Sequence, residues 1–245
     1  MLSATAAVPA AVVFDCDGTL IDSERLHAKA LQGALARWGI LLGVEQIRSQ
    51  STGIANGDFL RSIALERGVV LPEDAEMIVE EIASQLIVEE VRPIDGAEEV
   101  VGHLAANGIG LAVASNSSRR LVREMLLAVG LAPVFDGRIV TRDDVFAPKP
   151  APDVYLQAAR LLHARSENTV AVEDSPVGVI AARDAGMQVI GFRPPATLFT
   201  AADLTRAGAC GSYGTGSSRP DASASDRMSE RPPRTTKVVQ NASFI

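Results

Sequence analysis

Two aspartates separated by one residue, Asp15 and Asp17, sit just after a short apolar run, Ala10–Val13, and just before Gly18. The run is partly β-branched and reads as a buried strand leading into Phe14. The string Phe14-Asp15-Cys16-Asp17-Gly18-Thr19-Leu20-Ile21-Asp22-Ser23 therefore carries two carboxylates off the end of a strand into a turn that Gly18 can make sharp. A buried carboxylate is strongly disfavoured unless something compensates its charge, so an apolar strand ending in two of them calls for a partner such as a cation. Three more groups of the same kind follow. Ser115 and Asn116 come directly after the apolar run Gly110–Ala114. Lys149 lies between Pro148 and Pro150, and Glu173 and Asp174 come directly after Thr169–Val172.

The elements that must position these groups can be read from periodicity. Ser23 to Trp38 reads as a helix, with Ser23 as its cap and Leu26, Ala30, Leu31 and Leu35 at helical spacing. Pro72-Glu73-Asp74 opens a second helix, which runs towards Val91 and is stopped by Pro93. Its Glu80, Glu81, Glu89 and Glu90 read as a solvated face. After it, helix and strand alternate. Gly96–Asn107, Ser118–Gly130, Pro152–His163 and Val177–Gly186 read as helices. Gly110–Ala114, Arg138–Val140, Thr169–Val172 and Gln188–Phe192 read as strands. That alternation predicts an α/β fold, a doubly wound parallel sheet of the Rossmann type. Residues 23–92 interrupt it straight after the first strand and read as wholly helical, so they are expected to form an inserted α-helical cap between hinges near Asp22 and Arg92. The core is then expected to comprise residues 1–22 and 93–210. From Gly211 to Thr236 the chain is rich in Gly, Ser, Pro and Arg and lacks the apolar alternation of a strand, so 211–245 is expected to be a disordered or atypical tail. It would be either a natural one or a replaced C-terminus from a shifted reading frame. Its removal is expected to leave stability almost unchanged.

The Asp15–Ser23 string resembles the DxDGT motif of the haloacid dehalogenase superfamily. Ser115, Lys149 and the Glu173–Asp174 pair stand where that family's second, third and fourth motifs would fall, so the resemblance spans residues 11–200. It implies a phosphatase in which Asp15 is the nucleophile that accepts the phosphoryl group, and Asp17 is the general acid and base. Such an acid favours a carboxyl shielded from water. Ser115 and Asn116 would bind phosphate oxygens, with Ser115 also suited to cap the next helix. Lys149 would offset the repulsion between carboxylate and phosphate. Asp174 and Glu173 would complete a Mg²⁺ site with Asp15 and the main-chain carbonyl of Asp17. The family's strand order, 5-4-1-2-3, would set Asp15 and Asp174 side by side at the carboxyl ends of neighbouring strands, where open α/β sheets bind ligands.

His27, twelve residues after Asp15, stands at an offset where the β-phosphoglucomutase-like branch has a histidine assisting the second aspartate; a hinge or helix-surface histidine is the plainer reading. His103 and His163 lack metal-ligand spacing. Cys16 reads as a small buried hydrophobe, and Trp38 as cap core.

The helical cap implies a small phosphorylated metabolite as substrate: a sugar, sugar-acid or polyol phosphate. Asp17 argues against dehalogenation, and the absence of lysine between Lys29 and Lys149 argues against a Schiff-base phosphonate hydrolase. A β-phosphoglucomutase-like mutase is the enzymatic alternative. In the matching cap loop, however, Asn56 stands where the mutase has arginine, and residues 23–92 carry seven Lys/Arg against eleven Asp/Glu. A catalytically inactive phosphometabolite-binding module is the alternative of another class. With a net charge of −7 a dedicated nucleic-acid binder is not expected. No apolar run suggests a membrane span, and Met1–Pro9 makes a poor signal peptide. Cys16 and Cys210 are too few for a disulfide framework. A cytoplasmic monomer or weak homo-oligomer is the resulting expectation.

Overall fold

The computed structural model describes residues 8–52, 54–194 and 197–214. Its centre is a parallel sheet of β1 (Ala11–Phe14), β2 (Gly110–Ala114), β3 (Ile139–Val140), β4 (Thr169–Glu173), β5 (Gln188–Arg193) and β6 (Gly211–Gly214), in the spatial order β3-β2-β1-β4-β5-β6. The expected order of the first five strands is thus found, and β6 extends it.

The two faces of the sheet differ in the size of their side chains. Val12, Phe14, Leu111, Val113, Val170 and Val172 point to one face, whose core continues through Phe135 and the helices α5 (Ala97–Ala106) and α6 (Arg119–Ala128). Val13, Ala112, Ala114 and Ala171 point to the other, beneath α7 (Asp153–Leu161), α8 (Pro176–Asp184) and α9 (Ala201–Ala207). Alanines on that face let the helices lie close to the sheet. Burial on both faces is what a parallel sheet requires.

Between β1 and β2 the chain forms α1 (Glu24–Arg37), α2 (Val44–Ser51), α3 (Asn56–Arg67) and α4 (Ala75–Glu90), the helical cap. Leu31 and Leu35 of α1 and Val79, Ala83 and Ile87 of α4 are buried, and the two helices pack against each other. Trp38 packs against the same core. The segments leaving and re-entering the sheet run side by side: Asp22 N donates to Arg92 O (3.0 Å) and Ile94 N donates to Leu20 O (2.9 Å). No helix among the described residues is long and apolar enough to cross a membrane.

One expectation is overturned. Gly211–Gly214 is not structureless: it pairs in parallel with β5, with Ile190 opposite Gly211 and Phe192 opposite Tyr213. Ala201–Ala207 before it is a helix, closed at its start by a Thr200–Asp203 capping box. An edge strand can be held by its main chain, so the missing apolar alternation did not prevent pairing. Gly191 makes room for the approach, since a Cβ there would come within 3.0–3.3 Å of Leu204 and Ala209. The disorder expected further along, in 215–245, lies outside the described residues.

Because β6 covers the edge of β5, a chain ending at Cys210 should melt below a chain ending at Gly214. The expected difference is about 2–4 °C for each kcal/mol of lost pairing, read by thermal denaturation of the two truncations. Equal melting temperatures would show that β6 contributes nothing.

Candidate active site

β1 and β4 are adjacent and parallel, with Phe14 opposite Val172, so both strands release their next residues on the same end of the sheet. Asp15 N still donates to Val172 O (2.9 Å), which fixes the Asp15 main chain beside β4. Asp15, Glu173 and Asp174 are buried there, with one carboxylate oxygen from each lying within 4.8 Å of the others. Gly18 turns the chain with φ of +78°, and a Cβ on it would stand 2.2 Å from Asp174 Oδ2. Glycine is thus required twice at this position, for its backbone and for space.

Lys149 is buried between the acids. Its Nζ donates to Asp15 Oδ1 (2.6 Å) and Glu173 Oε1 (2.5 Å). Its main chain is clamped by Asn116, whose Nδ2 donates to Lys149 O (3.1 Å) and whose Oδ1 accepts from Lys149 N (2.8 Å). Glu173 is fully engaged: Tyr155 Oη donates to its Oε1 (2.5 Å), and Ser175 N and Oγ donate to Oε2 (3.4 and 3.2 Å). Burial pushes the Asp15 and Asp174 carboxyls well above the usual range, and the neighbouring acids add to this; for Asp15 the largest opposing influence is Lys149. Burial works against the Lys149 ammonium, but Asp15 and Glu173 hold its pKa above the ordinary lysine value.

Asp17 has a different environment. Ser23 Oγ (2.6 Å) and His27 Nε2 (2.8 Å) donate to its Oδ1, while Ser117 Oγ (2.7 Å) and Ser115 Oγ (3.2 Å) donate to its Oδ2. Burial would raise this carboxyl, but the His27 hydrogen bond and charge, with the Ser23 and Ser117 hydroxyls, prevail and hold it well below the usual carboxylate range. Burial likewise disfavours a charged His27, and the bond to Asp17 outweighs it, raising the imidazole pKa. Asp17 therefore rests ionised, paired with His27, rather than as the acid that shielding alone would favour.

Every candidate catalytic, phosphate-binding or metal-ligating residue of the sequence meets at this end of the sheet, several with partners other than those expected. Ser23 does not cap α1 with its side chain but donates to Asp17, and Ser118, not Ser115, caps α6. Asn116 holds Lys149. Cys16 is buried, as expected; His103 lies on the exposed side of α5, whereas His163 falls just past the end of α7 with φ of +50°. Two residues were missed. Ser117 is one of three serines in the string Ser115–Ser118 with nothing in the sequence to single it out, and Tyr155 lies within the helix α7 with no motif around it.

Above the acids is a cleft of about 290 Å³. Asp15, Asp17, Lys149 and Asp174 line its floor, and Glu24, Arg48, Thr52, Asn56 and Glu80 of the cap line its roof. Glu80 was expected on a solvated helix face; instead it is turned inward, its Oε2 accepting from Ser118 Oγ (3.1 Å) and its Oε1 pairing with Arg142.

Three buried carboxylates against one ammonium leave an excess of negative charge. The donors are all oxygen, so the cluster fits a hard divalent cation.

Gly178 in α8 provides a test of the Glu173–Lys149 pair. A Cβ there would fall 1.8 Å from Glu173 Oε1, so Gly178→Ala must displace the glutamate from Lys149 and Tyr155. The expected result is a loss of about 1–3 kcal/mol in denaturant unfolding together with loss of turnover. Gly102→Ala on α5, where a Cβ would meet nothing within 4 Å, should instead stabilise the fold by about 0.5–1 kcal/mol.

Comparison with known proteins agrees with this geometry. The family model for haloacid dehalogenase-like hydrolases matches residues 9–186. The 6-phosphogluconate phosphatase of Escherichia coli is 29% identical over 183 residues, which cover 74% of this chain and 81% of that protein. The fructose-1-phosphate phosphatase of the same organism is 27% identical over 184 residues, covering 75% and 96%. The crystal structure of a haloacid dehalogenase family hydrolase from Deinococcus radiodurans with bound phosphate and sodium superposes with a TM-score of 0.71 at 32% identity, covering 86% of this chain and 93% of that one. Motifs, sheet order, inserted helices and buried acid–lysine cluster coincide with a family match over most of the chain: the protein belongs to the haloacid dehalogenase-like hydrolases.

Proposed function

We propose that the protein is a Mg²⁺-dependent phosphatase that hydrolyses a small sugar, sugar-acid or polyol phosphate through an aspartyl-phosphate intermediate. The observation that carries this reading is the pairing of Asp15 with Lys149 on the floor of a polar cleft, beside Asp174. A phosphatase of a sugar-acid phosphate and one of a sugar phosphate among the relatives support the substrate class. The described structure fits a division into a core of residues 1–22 and 93–210 and a cap of residues 23–92, with β6 joining the core.

In this mechanism Asp15 is the nucleophile. Its Oδ1 is held by Lys149, which leaves Oδ2 for in-line attack on phosphorus. Lys149 offsets the negative charge that the phosphate brings. Its position is secured at both ends, by Asn116 on its main chain and by Glu173 on its ammonium. The Ser115 and Ser117 hydroxyls, now spent on Asp17, turn to phosphate oxygens when substrate enters. The proton of the Asp17–His27 pair rests on the imidazole; it passes through Asp17 to the leaving oxygen, and Asp17 then takes one from the attacking water and returns it to His27. Asp15, Asp174 and the Asp17 carbonyl would hold the Mg²⁺ ion, with Glu173 contributing to the surrounding charge. Bound there, the ion would neutralise the carboxylates and the phosphate oxygens together.

Asp15→Asn keeps the side-chain shape and removes the attacking charge. Turnover of p-nitrophenyl phosphate should fall by about 10⁴-fold or more, the scale seen when an enzyme loses its nucleophile, with the circular dichroism spectrum unchanged. A folded and active Asp15→Asn protein would overturn the mechanism.

Exhaustive chelation with EDTA should abolish activity and added Mg²⁺ should restore it. Given β-glucose 1-phosphate, the enzyme should release inorganic phosphate; conversion to glucose 6-phosphate with little release would identify a mutase instead.

A further inference from the structure

Among the described residues lining the cleft, Glu80 is the cap carboxylate that reaches across to the core. From α4 it pairs with Arg142, lies 3.9 Å from Arg120 Nη2 and accepts from the Ser118 hydroxyl. Its side chain is 17% exposed and that of Arg142 is 32% exposed; both line the cleft. The other charged pair of the roof is of the same kind: Arg48 is bonded to Glu24 (3.2 Å) and to Glu45 (2.8 Å). Around these pairs the roof offers hydroxyls and an amide, from Ser51, Thr52 and Asn56. The floor is thus built for one anion, and the cationic groups further up are already matched by acids.

We propose that Glu80 is a specificity-determining residue that keeps Arg142 from binding an anion, so that the far end of the pocket takes neutral hydroxyl groups. This inference rests on the phosphatase reading and narrows its substrate class to neutral sugar and polyol phosphates, with sugar-acid phosphates and bisphosphates disfavoured. The physical reason is competition between like charges for one guanidinium. A substrate carboxylate entering beside Glu80 would lie next to a like charge and would have to displace it from a guanidinium that the protein already satisfies. A hydroxyl brings no such cost and finds the Thr52 and Asn56 side chains.

Glucitol 6-phosphate and gluconate 6-phosphate test this directly, because they differ only in carrying a hydroxymethyl group or a carboxylate at the end remote from the phosphate. Phosphate release from each gives two values of kcat/KM. The wild-type enzyme should favour glucitol 6-phosphate. In Glu80→Gln the ratio should move towards gluconate 6-phosphate by about tenfold or more, the worth of one hydrogen bond to a charged group. The change should appear in KM rather than kcat. Glu80→Asp, which retains the charge, should restore most of the wild-type ratio. Adding Arg142→Gln to Glu80→Gln should abolish the gain, since Arg142 is the group set free.

A wild-type preference for gluconate 6-phosphate would overturn the inference. So would an equal fall for both substrates in Glu80→Gln, which would mean that Glu80 only braces the cap. A wild-type enzyme that releases phosphate from neither substrate nor from p-nitrophenyl phosphate would refute the phosphatase reading itself, and the inference with it.

Discussion

Burying the Lys149 ammonium among carboxylates is the constraint from which most of the site follows. A charge taken out of water has to recover its hydration from fixed partners, and removing one member of such a buried pair typically costs about 3–5 kcal/mol. Lys149 recovers it from Asp15 and Glu173. Glu173 in turn needs partners for its second oxygen and finds them on Ser175, while Tyr155 shares the first. The helix that follows Ser175 can approach only because residue 178 has no side chain. On the other side, Asn116 fixes the Lys149 main chain with both halves of its amide. Each group is held by the requirement of the one before it, which sets the nucleophile's position through a lysine in a loop rather than through the strand alone.

Asp17 shows how a second carboxylate two residues away acquires a different character. Asp15 faces acids and one shared ammonium, so burial dominates and disfavours its charge. Asp17 faces an imidazole and three hydroxyls, so its charge is favoured although it lies in the same cleft. An attacking carboxylate must be charged, so Asp15 would need a cation beside it in addition to Lys149, and the proton that Asp17 moves is one it shares with His27. The cap takes part, because Ser23 and His27 belong to the start of its first helix.

The features legible in the sequence are those with local signals. Apolar runs mark the strand ends, and that is enough to put Asp15, Ser115, Glu173 and Asp174 at one end of a sheet. Lys149 has no periodic signal and is reached only through the family resemblance. What escapes depends on tertiary approach. Glu80 belongs to a helix whose other acids, Glu76, Glu81, Glu89 and Glu90, are exposed, and only the packing of α4 over α6 turns it inward. Ser23 stands at the N-cap position of α1, yet its hydroxyl is turned to donate to the Asp17 carboxylate and accepts from no main-chain amide of the helix. β6 leaves no trace in the residue pattern because its pairing is made by main-chain groups that every residue carries.

The serines that open helices at this site have one more consequence. Ser118 begins α6 and Ser175 begins α8, and both residues line the cleft. Peptide dipoles in each helix add up to a partial positive charge at that end. Two helices therefore direct a field at the floor that favours an anion there, inside a protein of net charge −7. Unlike lysine or histidine, a peptide dipole has no proton to lose, so this part of the attraction for phosphate persists at any pH at which the fold survives.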